Sequence, residues 1–180
     1  HFVSQVQDVT EQRETDQRLQ ALADRDELTG LLNRRRFEEE LTRQLARTER
    51  YAEPAALAVI DLDGFKAVND SHGHAAGDDV LRNVAAALAA RVRGSDLVAR
   101  LGGDEFAALL LGVDTVGAAE VANALTAAVQ RAGGAAGVTA SVGVTSLEPG
   151  DAPDQALARA DQAMYAAKAA GPGGSQMVPR

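Results

Sequence analysis

Apolar positions along the chain follow two rhythms, and residues that break secondary structure mark where one gives way to the other. In "LTGLLNRRRFEEELTRQLARTERYAEP" a turn at Thr29-Gly30 leads into a long amphipathic helix reaching about Tyr51. Leu31, Phe37, Leu41 and Leu45 are its expected buried face, and Pro54 closes it. "AALAVIDLDGF" then gives the continuous apolar run of a buried strand, ending in Asp61 and Asp63. A short helical segment starts at Phe65, and a longer helix over 76–91 turns Val80, Leu81, Val84 and Leu88 inward. "DLVARL" and "DEFAALLLG" flank Gly102-Gly103, a strong hairpin signal. Residues 115–133 read as a helix, 137–147 as a strand with alternating valines, and 154–171 as a last helix. The tail reads as loose or as a short final strand. Two adjacent hairpin strands exclude a purely parallel doubly wound sheet, so the pattern predicts an α+β domain with helices packed on a mixed, largely antiparallel sheet.

The beginning of the chain is different. Residues 1–8 alternate weakly, with Phe2 and Val6 on one side, as a terminal strand would. From Asp8 or Thr10 to about Asp24 the pattern is helical but polar, with Glu14 and Arg18 at a favourable i,i+4 spacing. Val9, Leu19, Leu22 and Ala23 form only a thin apolar stripe, which suits a linker helix or a weak two-stranded coiled coil rather than a core helix. With no methionine at position 1, the chain is expected to be a fragment of a longer protein.

Composition narrows the chemistry. The chain has 180 residues, 46% of them hydrophobic and 24% charged, which is enough for one globular domain and an appendage. No cysteine is present, so thiolate sites are excluded and any metal must be held by oxygen or imidazole. No run approaches the roughly 20 apolar residues of a membrane span and no signal peptide is visible, so no membrane contact is expected and the expected location is cytoplasmic. A net charge of −8 argues against a nucleic-acid polymer as partner, but not against a single nucleotide. Of the eighteen basic residues only Lys66 and Lys168 are lysines, which singles them out for a specific task.

Asp61 ends a buried strand. If that strand lies beside the hairpin, Asp61 and the acids Asp104 and Glu105 meet at one sheet edge. Such a cluster repels itself unless a cation is bound or pKa values rise. Carboxylates without thiolate or clustered histidine favour Mg²⁺ or Mn²⁺. Neighbouring strand residues face opposite ways, so only one of the two hairpin acids is expected at a metal; Asp104, nearer the turn, is favoured over Glu105. In "DGFKAVND", Gly64 lets backbone amides approach an anion, the next helix points N–H groups outward, and Lys66 neutralises phosphate charge. Asn69 and the acceptor-only Asp78 suit the N1–H and N2–H₂ donors of guanine, although each alone reads better as a helix cap than as a base reader.

"RLGGDEF" (100–106) resembles the signature of the GGDEF family, the diguanylate cyclases. "DELTGLLNRR", "DLDGFKAVNDSHGHAAGDDVL", "SVGV" and "ADQAMYAAK" extend the resemblance from about Asp26 to Lys168 in the family's order. It implies a central five-stranded sheet wrapped by helices, and the joining of two GTP into cyclic di-GMP with loss of two pyrophosphates. It also implies that Asp61, the Leu62 carbonyl and Asp104 bind Mg²⁺ (or Mn²⁺), that Asp104 helps deprotonate the attacking ribose 3′-OH, and that Glu105 assists at the metal. Asn69 and Asp78 would read guanine with Leu81 against the base. Gly64, Phe65, Lys66 and Lys168 would hold the phosphates, Lys66 stabilising transition-state charge, with Gly102 and Gly103 beside the substrate. One GTP per domain makes the working enzyme a homodimer, which the N-terminal helix would bring together. "RGSD" puts Arg93 and Asp96 at the family's RxxD inhibitory site, so feedback by product is expected. "VQDVTEQRETDQRL" is similar to the last strand and exit helix of a PAS sensor domain, which divides the chain into residues 1–24, an upstream sensor end with a signalling helix, and 25–180, the catalytic domain.

The chain departs from the family pattern at "GPGGS", where Pro172 replaces an arginine expected to contact phosphate, and at Leu32, where proline is common. The alternative reading is therefore a weak or inactive module that binds cyclic di-GMP at Arg93 and Asp96 without making it. An adenine-using cyclase is disfavoured because Asp78 would repel adenine N1. A purely structural dimerisation domain would not need so many polar site residues.

Overall fold

The apolar run at 55–63 forms β2 (Ala55–Asp63), the spine of the domain, buried throughout except for a partly exposed Asp61. The computed structural model describes residues 24–178. β2 lies antiparallel between β4 (Glu105–Leu111) and β5 (Thr139–Ser146). β3 (Leu97–Gly102) continues the sheet beyond β4. Two short edge strands run parallel to their neighbours, β1 (Leu32–Asn33) on β3 and β6 (Ser175–Met177) on β5. The order is β1-β3-β4-β2-β5-β6. The sheet is mixed and largely antiparallel as expected, but it has six strands rather than five. The extra β1 is two residues long, too short to leave a period in the sequence.

Side-chain alternation along β2 divides the core. Ala56, Ala58, Ile60 and Leu62 pack with Val80, Leu81, Val84 and Leu88 of α3 (His74–Ala89) and with Leu125 and Val129 of α4 (Thr115–Gly133). Leu57 and Val59 face the other way, onto Phe37, Leu41 and Leu45 of α1 (Arg34–Tyr51) and the alanines of α5 (Pro153–Ala170). α2 (Phe65–His72) leaves the end of β2 directly. Each of the fully buried Phe37 and Leu41 contributes about 1.5–3 kcal/mol by leaving water.

α1 starts later than the turn at Thr29-Gly30 suggested. Asp26 Oδ1 accepts from Thr29 N at 2.9 Å and from Thr29 Oγ1 at 2.6 Å, folding residues 26–30 into their own turn. Asn33 then caps the helix by accepting from Arg36 N at 3.0 Å. Leu31 therefore precedes α1 and packs against the opposite core, which corrects its assignment to the α1 face.

α5 rides directly on β5. A methyl group on Gly143 would lie 2.1 Å from Met164 N and 2.2 Å from Ala160 O, so only glycine allows the helix this close. That contact sets the height of Lys168 over the sheet. Among the described residues no helix is long and apolar enough to cross a membrane. The expected terminal strand and linker helix span 1–24, of which all but Asp24 lie outside the described residues.

Candidate functional site

The hairpin closes through a two-residue turn, Gly103-Asp104, between Gly102 and Glu105, with an irregular register from Arg100 to Gly102. Gly102 and Gly103 have φ of +149° and +52°, which L side chains rarely adopt. The turn is clamped from within: Arg100 donates from Nε and Nη2 to Gly103 O at 3.0 and 2.8 Å. The same guanidinium reaches Asp26 Oδ1 at 3.2 Å and Oδ2 at 3.3 Å. Burial alone would raise the Asp26 pKa, but the hydrogen bonds from Thr29 and Arg100 outweigh it and hold the carboxyl below its usual value.

Glu105 is paired in register with Asp61, so the two carboxylates stand side by side on the face covered by α5. Cross-strand neighbours have Cβ atoms about 4.5–5.5 Å apart, and like charges in that position repel. Each has a cation here. Lys168 Nζ lies 2.5 Å from Asp61 Oδ1, and Arg34 Nη2 lies 3.5 Å from Glu105 Oε2. The hydrogen bond to Asp61 is the main reason the Lys168 pKa is raised, with Asp63 and Asp104 adding electrostatic support. Asp61, Glu105 and Lys168 line a cavity of about 740 Å³ together with Asp161, Met164 and Tyr165.

The choice of Asp104 over Glu105 as the metal-facing acid rests on strand alternation. Strand alternation does not govern Asp104, because it sits in the turn rather than in β4. Its carbonyl accepts from Leu62 N at 3.3 Å, which ties the turn to the end of β2. Asp63 is not part of the open site. It is buried, and it accepts from Ser141 Oγ at 2.9 Å, Thr139 Oγ1 at 3.2 Å and Gly173 N at 3.1 Å. Pro172 supplies no cation, and the tail beside it is pinned by Asp63.

The acids beside Asp61 in this cavity, Glu105 and Asp161, offer carboxylate oxygens, which suit a hard divalent cation. Among the described residues no group of three or more Asp, Glu or His side chains is gathered as a ligand set. The residues fit Mg²⁺ or Mn²⁺ held by one or two carboxylates, the Leu62 carbonyl and oxygens brought by a nucleotide.

At the same end of β2, α2 begins after Gly64 with no side chain capping its amides, so its N-terminus is suited to an anion. Phe65 is buried, while Lys66 is exposed. Asn69 of α2 lies against the first turn of α3, the turn that carries Asp78. A methyl group on Gly77, next to Asp78, would lie 2.0 Å from Asn69 Oδ1. Leu81 is 2% exposed and belongs to the core, so it backs this corner from behind.

Arg93 and Asp96 form a separate groove of about 310 Å³ with Arg25, Leu31 and Val98. Asp96 is already engaged: Oδ2 accepts from Arg93 N at 2.8 Å and Oδ1 from Leu111 N at 3.0 Å. This groove lies at the start of β3 and the Gly102 turn at its end.

Sequence reasoning missed Asp161, Arg34, Gly77 and Gly143. Asp161, Tyr165 and Lys168 are spaced three and four apart, the signal of a shared helix face. Burial raises the Asp161 pKa, partly offset by Arg34.

The family described as diguanylate cyclase, GGDEF domain, matches residues 23–173. The chain belongs to the GGDEF family. Among the GGDEF relatives is the diguanylate cyclase DgcP of Pseudomonas aeruginosa, 41% identical over 161 residues, covering 87% of this chain and 24% of DgcP. The probable diguanylate cyclase DgcE of Escherichia coli is 41% identical over 174 residues, 93% of this chain and 16% of its own length. The chain therefore spans about a quarter or less of these curated relatives. A crystal structure of the coiled coil and GGDEF domain of DgcB from Caulobacter crescentus, in complex with c-di-GMP, has a TM-score of 0.87 at 30% identity, covering 94% of this chain and 93% of that one. The six-stranded sheet and its surrounding helices are thus a GGDEF fold.

Proposed function

We propose that the domain joins two GTP into cyclic di-GMP, as the curated relatives named diguanylate cyclases do. The observation that carries the reading is the Asp61–Glu105 pair with Lys168 at one cavity, next to the turn that holds Asp104. When bound, a divalent cation supplies charge neutralisation at the α-phosphate and acidifies the attacking hydroxyl. Asn69 and Asp78 orient guanine, and the α2 amides, Lys66 and Lys168 hold the phosphates. Asp104 takes the proton of the ribose 3′-OH as that oxygen attacks the α-phosphate of the GTP on a facing copy. Pyrophosphate leaves, and the same step in the other direction closes the ring. Because each domain offers one such site, the reaction needs two chains face to face, brought together by residues 1–24. Its location is the cytoplasm, where GTP is supplied.

Arg93 and Asp96 accept the product at the second groove, which lowers activity as product accumulates. The alternative is a receptor that binds cyclic di-GMP there without making it, favoured only by Pro172 in the tail. Incubation with GTP and Mg²⁺, followed by separation of products, decides between them. Cyclic di-GMP that vanishes in Asp104→Ala supports the cyclase. No turnover, together with tight binding of cyclic di-GMP that Arg93→Ala abolishes, supports the receptor.

A further inference from the structure

The short ion pair between Lys168 and Asp61 does more than fix α5. Asp61 has a side chain only 17% exposed and faces Glu105 directly, so its charge is poorly screened and requires a cation whether or not a metal is present. Lys168 provides it at 2.5 Å. An ammonium and a divalent cation cannot both hold the same carboxylate oxygen at contact distance, because the two positive charges would then lie a few ångströms apart. Lys168 is itself 46% exposed and carries its charge on a flexible four-carbon stem, so it can leave without unfolding α5. The cavity it lines is the one on which Asp61 and Glu105 open.

We propose that Lys168 is the resident counter-ion of the metal site: it holds Asp61 until a divalent cation displaces it, and the freed ammonium then takes the phosphate that arrives with the cation. This rests on the reading of Asp61 as a metal ligand. Cation and nucleotide are then coupled through one side chain, each favouring the other by the same factor. Pro172 sharpens the dependence, since that position offers no second cation to take over that phosphate.

The chain has only two lysines, so selective ¹³C,¹⁵N-lysine labelling of the full chain gives two assignable side-chain signals, from Lys66 and Lys168. Mg²⁺ added without nucleotide is expected to shift the Lys168 signal and leave that of Lys66 in place. In parallel, Mn²⁺ binding to the nucleotide-free protein is read by electron paramagnetic resonance. Lys168→Met, which keeps the stem and removes the competitor, is expected to bind Mn²⁺ roughly tenfold more tightly. Lys66→Met is expected to bind as the parent does, and Asp61→Asn to lose Mn²⁺ in either background. A static Lys168 signal, or a Lys168→Met protein that gains no Mn²⁺ affinity while Asp61→Asn still abolishes binding, overturns this proposal alone. Mn²⁺ binding that survives Asp61→Asn overturns the metal reading as well.

Discussion

Replacing Gly77 with alanine places a methyl group 2.0 Å from Asn69 Oδ1 and 3.3 Å from Phe65 Cζ. The first distance is about 1.5 Å short of ordinary contact, so the Asn69 amide has to swing away; the second needs a shift of only a few tenths of an ångström. Both obstacles are ends of side chains. The helix also gains, because alanine is favoured over glycine in a helix interior by about 1 kcal/mol. Folding stability should therefore change by less than about 1 kcal/mol, or within roughly 4 °C in Tm for a domain of this size. Recognition should suffer instead. On the proposed reading, in which Asn69 hydrogen-bonds guanine, losing those bonds costs about 1–3 kcal/mol, a rise of roughly 5- to 150-fold in KM for GTP. The assay pairs thermal unfolding with initial rates of cyclic di-GMP formation in Gly77→Ala, Asn69→Ala and the double variant. If the methyl acts through Asn69, the double variant is no worse than Asn69→Ala alone. A KM unchanged in Gly77→Ala, or fully additive effects in the double variant, would refute the role given to this contact.

Other consequences can be checked as directly. Gly143→Ala drives a methyl into the α5 backbone, which cannot yield as a side chain does; it should cost about 3 kcal/mol or more and lower activity, read by urea unfolding. Asp26→Asn weakens the clamp on Arg100 and should cost about 1 kcal/mol near neutral pH. Because the Asp26 pKa lies below 3.8 in the folded state, its contribution is present above that value and is lost as pH falls through the folded pKa. The Tm gap between parent and Asp26→Asn should thus hold near neutral pH and begin to narrow only once the pH falls below the usual carboxylate range, and a gap that stays constant into strong acid would contradict the cause assigned. Asp96→Ala frees two backbone amides, Arg93 N and Leu111 N, and should lower stability by about 1–2 kcal/mol in the absence of any nucleotide, a cost separate from any loss of product binding.

Much of the architecture was written in periodicity. α1, α3, α4 and α5 carry long amphipathic repeats, and β2 is a run that nothing but a buried strand would need. β1 escaped because two residues have no period, and Leu31 was misplaced because the Asp26–Thr29 turn delays α1 by several residues. At the site, Asp61 was legible as an acid ending a buried strand, and the two lysines stood out against sixteen arginines. The partition between Asp104 and Glu105 was not legible, since it depends on where β4 begins rather than on residue type. Gly77 and Gly143 were hidden for a different reason. Their importance lies in atoms they lack, and the neighbours that would collide, Asn69 and the α5 backbone, come from other elements.

The two-residue turn at Gly103-Asp104 bears on how this domain can change over generations. Inserting or deleting one residue there slips β4 against β2 and moves Glu105, with every core residue after it, to the opposite face of the sheet. Point substitutions can alter the chemistry of this loop, but its length is inherited all or none. The connection after the buried Leu147, where Pro149 and Gly150 are exposed on the way from β5 to α5, carries no such penalty and tolerates added length there.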